Sequence, residues 1–403
     1  MRPSTRILLL LRPVLRLLVF AACLAGGPAM AQGDKASAPI PPATLALIKA
    51  RGSSAEAPIL LRAYKKEAEI EVWKRAGNGR FVFVKTYPIC RWSGQLGPKT
   101  KSGDRQTPEG FYTVAKSQMN PNSHYYLSFD VGYPNAYDKA HGYTGSAVMV
   151  HGICSSMGCF AMTDTVAGEL FAVAREAFAG GQAAFQFQSF PFRMSAANMA
   201  RYRSDPNIAF WRQLKEGSDR FEATGQEPVA TVTAGRYAFA PLKDREQEAQ
   251  AAARVKEEAA HVAGLVEDGA AAVRTTYSDG GQHPFWAALI SRGVPVGEVS
   301  RPEALAYAGQ EVVLIPARRK LPPVSPLPEA VWTAAIATGT PFASIRTGGF
   351  VPPYEAPAPR FVFEIVPDGA TRLPLLLRGT RDGSIAPPAF VATRPLVDVV
   401  AQR

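Results

Sequence analysis

The stretch VMVHGICSSMGCFAMTD, residues 148–164, places one histidine and two cysteines within nine residues, directly after a short apolar run. That run predicts a strand ending at His151, where a side chain is held rigidly. After Cys159 the period switches to helical. Val166, Leu170, Val173, Ala174, Ala177 and Phe178 share one helical face, Thr163 or Asp164 supplies a cap, and Gly180–Gly181 closes the segment. A strand, a short loop and a helix thus carry Cys159 back towards His151.

Three chemistries compete for His151, Cys154 and Cys159. A zinc site would want a fourth ligand and a CxxC-like or paired-His spacing, which H-x2-C-x4-C does not offer. Inert thiols and a core histidine form the second reading. The third is a nucleophile beside its base. An attacking thiol needs a base or cation within reach and backbone donors for the oxyanion that forms. Gly158 permits the tight turn and close approach that peptide N–H groups near Gly158 and Cys159 would need to form such a hole.

Outward from this stretch the text is mainly β. AEIEVWKR and RFVFVKTY alternate apolar and polar residues around Gly77-Asn78-Gly79, a hairpin signature. A loop dense in Gly, Pro and charge (SGQLGPKTKSGDRQTPEG) feeds a strand at Gly110 to Ala115. Further strands are predicted near Tyr125 to Phe129, Ala147 to Val150 and Phe185 to Phe190, and a helix over Pro206 to Gly217. The compact unit spans 58–223. Residues 32–57 are Ala-, Pro- and Gly-rich and read as a linker. Residues 224–403 are Ala/Pro-rich, partly helical over DREQEAQAAARVKEEAAHVAGLVEDGAAAV, and otherwise expected to be irregular and poorly ordered, with short apolar runs EVVLIPA and RFVFEIVP.

Residues 1–31 have the form of a secretory signal peptide. Arg2, Arg6, Arg12 and Arg16 interrupt an apolar segment, and Ala29-Met30-Ala31 ends it with small residues. The arginines keep the apolar run short of the ~18 residues of a membrane span. An extracytoplasmic location is expected. Removing the signal removes Cys23 and leaves Cys90, Cys154 and Cys159, so one thiol stays unpaired in a compartment that oxidises thiols. The excess of 45 Lys plus Arg over 34 Asp plus Glu gives +11, but the basic residues form no block that would grip a phosphate backbone, so no nucleic-acid partner is expected.

Strand-His151-Gly152, a short loop, then Ser156-Met157-Gly158-Cys159 resembles the L,D-transpeptidase catalytic domain family (YkuD type). The likeness is strongest to its YafK-like branch, to which SGQLGPK, GDRQTPEGFY, NPNSHYYLSFDVGYPNAYD, VMVHG, SMGCFAMTD, FPFRM and FWRQLKEGSDRFE are similar, over about residues 58–223. The resemblance implies a periplasmic enzyme with a β-sandwich or barrel-like catalytic domain and a few helices, acting on peptidoglycan stem peptides; no metal or cofactor is expected. It makes Cys159 the nucleophile and His151 the base, with Ser156 and Gly158 shaping the oxyanion loop and Gly152 letting the strand end turn. Met157 stands where many members carry a second histidine, and Ala161 where many carry an arginine.

The implied reaction is L,D-transpeptidation in cell-wall remodelling. One alternative is an amide hydrolase that detaches a wall-attached envelope protein; another is a non-catalytic wall-binding module. His141 also precedes a glycine, but its DKAHGYTG context is a loop, and a base needs fixed geometry. Tyr133, with Pro134 and Asn135, lines the substrate groove or packs; Asp130 and Arg105 orient substrate or pair on the surface. Cys90 and Cys154 can pair and leave Cys159 free, or Cys154 can pair with Cys159 as a redox lock.

Overall fold

The computed structural model describes residues 34–277, 279–294 and 310–318. The expected signal segment and the run RFVFEIVP at 360–367 lie outside them. The chain divides into two compact units at Ala38/Pro39. Among the described residues the first holds one 3-10 turn, Lys35–Ser37, started by Asp34, whose side chain accepts from the Ala36 N–H at 3.1 Å.

The second unit opens with α1 (Pro42–Ala50), so the expected linker contains a helix. Its Ala/Pro composition hides it, yet proline suits a first helical turn, where its missing N–H leaves no bond unmade. Three antiparallel strands follow: β1 (Ile59–Tyr64), β2 (Glu69–Arg75) and β3 (Phe81–Pro88), the last two joined across Gly77-Asn78-Gly79. Next come β4 (Gly110–Ala115), the short β5 (Met119–Asn120), β6 (Ser128–Asp130), α2 (Ala136–Ala140), β7 (Met149–His151) and β8 (Phe160–Ala161). α3 (Asp164–Ala179) is capped by Thr163, whose hydroxyl accepts from the Val166 N–H at 3.3 Å, and β9 (Ala184–Phe190) follows.

These strands form two sheets. The larger runs β3-β2-β1-β9-β4, with β1 and β9 parallel; the smaller runs β5-β6-β7-β8, with β7 and β8 parallel. Helix α3 packs on β1, β6 and β7, and one core of Leu61, Ala63, Phe129, Val150, Phe160, Leu170, Val173 and Phe187 links it to both sheets. The expected mainly β catalytic fold with a helix after Cys159 is the one observed.

Helices α4 (Ala196–Arg201) and α5 (Ile208–Thr224) follow β9. On the β1 face opposite Leu61, Leu60 packs with Phe221 of α5, and the buried Arg62 donates to Glu222 at 2.5 Å and to the Ser218 hydroxyl at 2.8 Å. Its guanidinium lies 4.7 Å from the Phe221 ring, so charge pairing and ring contact offset its desolvation.

The region expected to be an irregular tail is, over its described residues, built into the same body. The hairpin β10 (Ala230–Thr233) and β11 (Arg236–Phe239) stacks Tyr237 on Tyr137. Helix α6 (Arg245–Glu267) lies along α5, where Lys215 bonds Asp219 at 2.5 Å and Glu258 at 2.8 Å. Strand β12 (Ala272–Thr276) pairs with β13 (Gln310–Ile315), the EVVLIPA run; between them α7 (Pro284–Ser291) buries Phe285, Trp286 and Leu289. Its anchors are single buried side chains and ion pairs, which leave little periodic signal in an Ala-rich text.

Candidate functional site

Residues paired across a ladder point to the same face of a sheet. Ser128 pairs with His151 and Asp130 with Met149, while Val150 pairs with Phe160 and His151 with Ala161. Phe129, Val150 and Phe160 therefore face the core. Asp130, Met149, His151 and Cys159, one residue before β8, face the other way. The apolar period of this short sheet is what brings the expected nucleophile and base to one surface.

His151 is buried, 3% exposed, and its Nδ1 lies 2.6 Å from the Gly152 carbonyl. A carbonyl only accepts, so Nδ1 carries the proton and Nε2 keeps a lone pair, the tautomer a base requires. Burial holds the imidazole's pKa below its ordinary value, with the Gly152 bond opposing. Tyr125 covers the ring at 4.7 Å between centroids, and its carbonyl accepts from the Gly152 N–H at 3.0 Å. Tyr125 was expected only as the start of a strand; nothing in NPNSHYYLSFD marks which tyrosine meets His151.

Cys159 is the free thiol among the described residues, half-buried at the surface. Its sulfur accepts weakly from the Met149 N–H at 3.4 Å and points towards the Ala147 carbonyl at 3.9 Å, and it makes no hydrogen bond to the imidazole. Burial raises its pKa above the ordinary thiol value; the Met149 N–H acts against this, Asp130 adds to it, and Lys99 opposes it. Thiol and imidazole therefore both rest neutral.

The loop between them is tightly specified. Cys90 and Cys154 form a disulfide with Cα atoms 5.4 Å apart, fastening the loop to the PICRWSG segment. That segment is itself bonded to β8 through Cys90 N and Arg91 N on the Ala161 carbonyl at 3.0 and 3.1 Å. Ile153 and Cys154 both adopt left-handed φ, +67° and +46°. For a β-branched residue such a conformation is strained and persists only where its surroundings fix it. Besides the disulfide, Asp164 at the start of α3 does so, accepting from the Ile153 N–H at 2.9 Å.

Gly152 was expected to let the strand turn. Its φ is ordinary; what demands glycine is space, since a Cβ there would lie 2.3 Å from the Asp164 carboxylate and 2.9 Å from Tyr126 Cβ. Gly158, at φ +133°, is the position where backbone conformation itself requires glycine.

Ser156 is buried and organises the turn. Its hydroxyl donates to the Cys159 carbonyl at 2.7 Å, accepts from the Gly158 N–H at 3.2 Å, and lies 3.1 Å from the Ser93 hydroxyl. The Gly158 N–H is thereby engaged. The Cys159 N–H has no partner among the described residues and is the available donor to an oxyanion.

Two charged side chains flank the loop. Arg105, at φ +54°, has its backbone against Gly158, and its carbonyl accepts from the Ser93 hydroxyl at 2.7 Å. Its exposed guanidinium has no partner among the described residues. On the other side Asp130 borders an open groove with Tyr133 and Pro134. Tyr133 is mostly packing: its hydroxyl donates to the carbonyls of Lys99 and Thr144, both at 3.2 Å, and 4% of it is exposed. Asn135 caps α2, and His141 lies against Tyr137 at that helix's end. Met157 is 72% exposed, and Ala161 is buried beneath Arg91 of the paired segment. No cluster of three metal-ligating side chains occurs among the described residues.

The sequence profile of the L,D-transpeptidase catalytic domain (YkuD) matches residues 60–179. The chain is 42% identical over 180 residues to the Escherichia coli K12 protein named "Putative L,D-transpeptidase YafK", covering 45% of this chain and 73% of that one. The chain belongs to the L,D-transpeptidase family. The namesake in Escherichia coli O157:H7 matches this L,D-transpeptidase family member to the same extent. Among solved structures, the helical cell shape determining protein Pgp2 from Campylobacter jejuni aligns over 58% of this chain and 80% of its own, at 15% identity and a TM-score of 0.28. Bd1075 of Bdellovibrio bacteriovorus aligns over 55% and 75%, at 16% identity and a TM-score of 0.24. The L,D-transpeptidase profile ends within α3, so helices α4 to α7 stand outside it.

Proposed function

We propose that this domain is a periplasmic cysteine acyltransferase that remodels peptidoglycan by acting on its stem peptides. The observation that carries the reading is the placement of one free thiol, on the sheet face that presents His151, beside an unengaged backbone N–H. Membership of the L,D-transpeptidase family supplies the substrate class, and the signal-like residues 1–31 supply the compartment.

As Cys159 rotates from the Ala147 carbonyl towards His151, Nε2 takes the thiol proton while sulfur attacks a stem-peptide carbonyl carbon. The Cys159 N–H receives the oxyanion. Collapse breaks the C–N bond, the imidazolium gives its proton to the departing amine, and a thioester remains. An acceptor amine then attacks the thioester, His151 takes the amine's proton, and sulfur leaves to be reprotonated. A water acceptor in the same step would give hydrolysis and release of an attached peptide or envelope protein.

Mass analysis of muropeptides incubated with the purified protein tests this. New cross-links or exchanged amines are expected from the wild type, and freed stems identify water as the acceptor. Cys159→Ala is expected to abolish either product. Wall material left unchanged by the wild type, with wall binding intact, would leave only a binding module.

A further inference from the structure

Two hydroxyls grip the Cys159 carbonyl. Ser156 donates to it at 2.7 Å, and the fully buried Thr107, in the run that leads into β4, donates at 3.3 Å. Each hydroxyl has one proton, and the two are not equally committed. The Ser156 proton has two acceptors within reach, the Cys159 carbonyl and the Ser93 hydroxyl at 3.1 Å. The Thr107 oxygen already accepts from the Ser93 N–H at 3.1 Å, so its own proton has a single acceptor among the described residues, the Cys159 carbonyl. Thr107 therefore holds that carbonyl whichever way the two serines turn.

Thr107 is itself fixed from the core. Its N–H donates to the Ser93 carbonyl at 3.0 Å, and its carbonyl accepts from Lys65 Nζ at 2.8 Å. The fully buried Lys65 ammonium also reaches the Gly97 carbonyl at 3.0 Å and Glu109 at 2.9 Å. Glu109 in turn accepts from the Gly97 N–H at 2.7 Å and from the Trp211 indole N–H of α5 at 2.8 Å. Every polar atom of this buried ion pair is engaged, which is what makes its burial tolerable, and it sits directly behind Thr107.

Ser156 holds the Gly158 N–H, just before the free N–H of Cys159, and Thr107 holds the carbonyl just after it. The torsions between those two points set where the sulfur and the free N–H are aimed. We propose that Thr107 is a positioning residue for the nucleophile. Its hydroxyl, anchored by Lys65 and Glu109, keeps the Cys159 N–H directed at the oxygen of the carbonyl whose carbon the sulfur attacks. This rests on the acyl-transfer reading above.

The test compares Thr107→Val, which keeps the shape and removes the proton, with Thr107→Ser, which keeps the proton. Three rates are measured on each: stem-peptide turnover, acylation of Cys159 by a small phenyl ester, and alkylation by iodoacetamide in alkaline buffer. In the acylation the sulfur bonds to the ester carbon, the phenol leaves with the thiol proton, and a thioester remains; intact mass reads it, with Cys159→Ala as the blank. Alkylation needs the sulfur alone, whereas acylation also needs the oxyanion donor. In Thr107→Val, kcat and acylation are expected to fall roughly tenfold to a hundredfold, with KM and alkylation within about twofold of wild type, and Thr107→Ser should recover most of the loss. If Thr107→Val does not fold, Thr107→Ala replaces it, leaving room for a water to accept from the Ser93 N–H. Wild-type acylation in the folded variant, equal losses of acylation and alkylation, no recovery in Thr107→Ser, or failure of both the Val and Ala variants to fold overturns the inference. A wild type inert towards stem peptides defeats the acyl-transfer reading, while the ratio of ester acylation to alkylation still decides the role of Thr107.

Discussion

Cys159 and His151 are held neutral by the same cause, burial, acting on opposite charges. In the proposed acyl transfer, activation then happens during attack, by proton transfer, rather than through a resting ion pair. Iodoacetamide labelling of Cys159 is expected to be slow at neutral pH and to climb through the alkaline range. Fast labelling at pH 6 to 7 would mean a thiolate already present. For the imidazole the sign runs the other way: its depressed pKa keeps the base form as pH falls, so the acid limb of kcat/KM is expected below the ordinary value of about 6.5. A limb at or above that value would contradict the burial argument. Strand-His-Gly and Gly-Cys single out these two residues in the sequence, and the structure places both on one face of the short sheet. Tyr125 over the imidazole and Ser156 holding the Gly158 N–H were less legible, because which hydroxyl or ring closes over a site depends on the register of separate segments.

At the scale of elements, the loop from Gly152 to Cys159 is rigid because its neighbours are. Strand β8, helix α3 through Asp164, and the disulfide each fix one part of it. The Cys90–Cys154 link closes a sequence separation of 64 residues, for which chain entropy gives about 4 kcal/mol. The double substitution Cys90→Ala/Cys154→Ala is expected to lower unfolding free energy by roughly 2–4 kcal/mol in urea titrations and to reduce turnover more than binding. Unchanged turnover would show that the strained loop holds its shape without the bond. Odd thiol arithmetic pointed to one unpaired cysteine, but which two pair is settled by β8 lying beside the PICRWSG segment. In Gly152→Ala the new methyl meets the Asp164 carboxylate, so soluble yield and thermal midpoint should both drop; a wild-type midpoint would mean that Asp164 swings away freely.

For the whole molecule, the residues outside the family profile reach the site from behind. Trp92 and Gly281 exchange two backbone hydrogen bonds at 3.1 Å, Gly280 N donates to the Gly94 carbonyl at 2.7 Å, and Asp279 pairs with buried Arg91 at 2.5 Å. Residues 91–94 in turn border β8 and, through Ser93, the Ser156 hydroxyl. Gly280 sits at φ +80°, and a Cβ there would lie 1.8 Å from the Trp92 carbonyl. Gly280→Ala is therefore expected to release this segment, lower the thermal midpoint by several degrees and slow acyl transfer. Full activity would show that the C-terminal region is only carried along. The β framework around His151 was readable from alternation and turn dipeptides, whereas this docking was not, because two glycines and one aspartate in YSDGGQH look like any surface turn.

The disulfide beside the free thiol gives the protein two preparative forms that one reagent cannot separate. A thiol reductant shields Cys159 from air, but Cys90 and Cys154 are both fully buried, so it opens the bond that shapes the loop only as the surrounding structure opens. Material in which that bond has been opened has a protected sulfur on a loosened frame; material kept oxidised has the frame intact and the sulfur open to sulfenic acid and beyond. Intact mass, two hydrogens apart for the opened bond and one oxygen heavier for the damaged thiol, identifies the form in hand, and rates compared across laboratories need that value beside them.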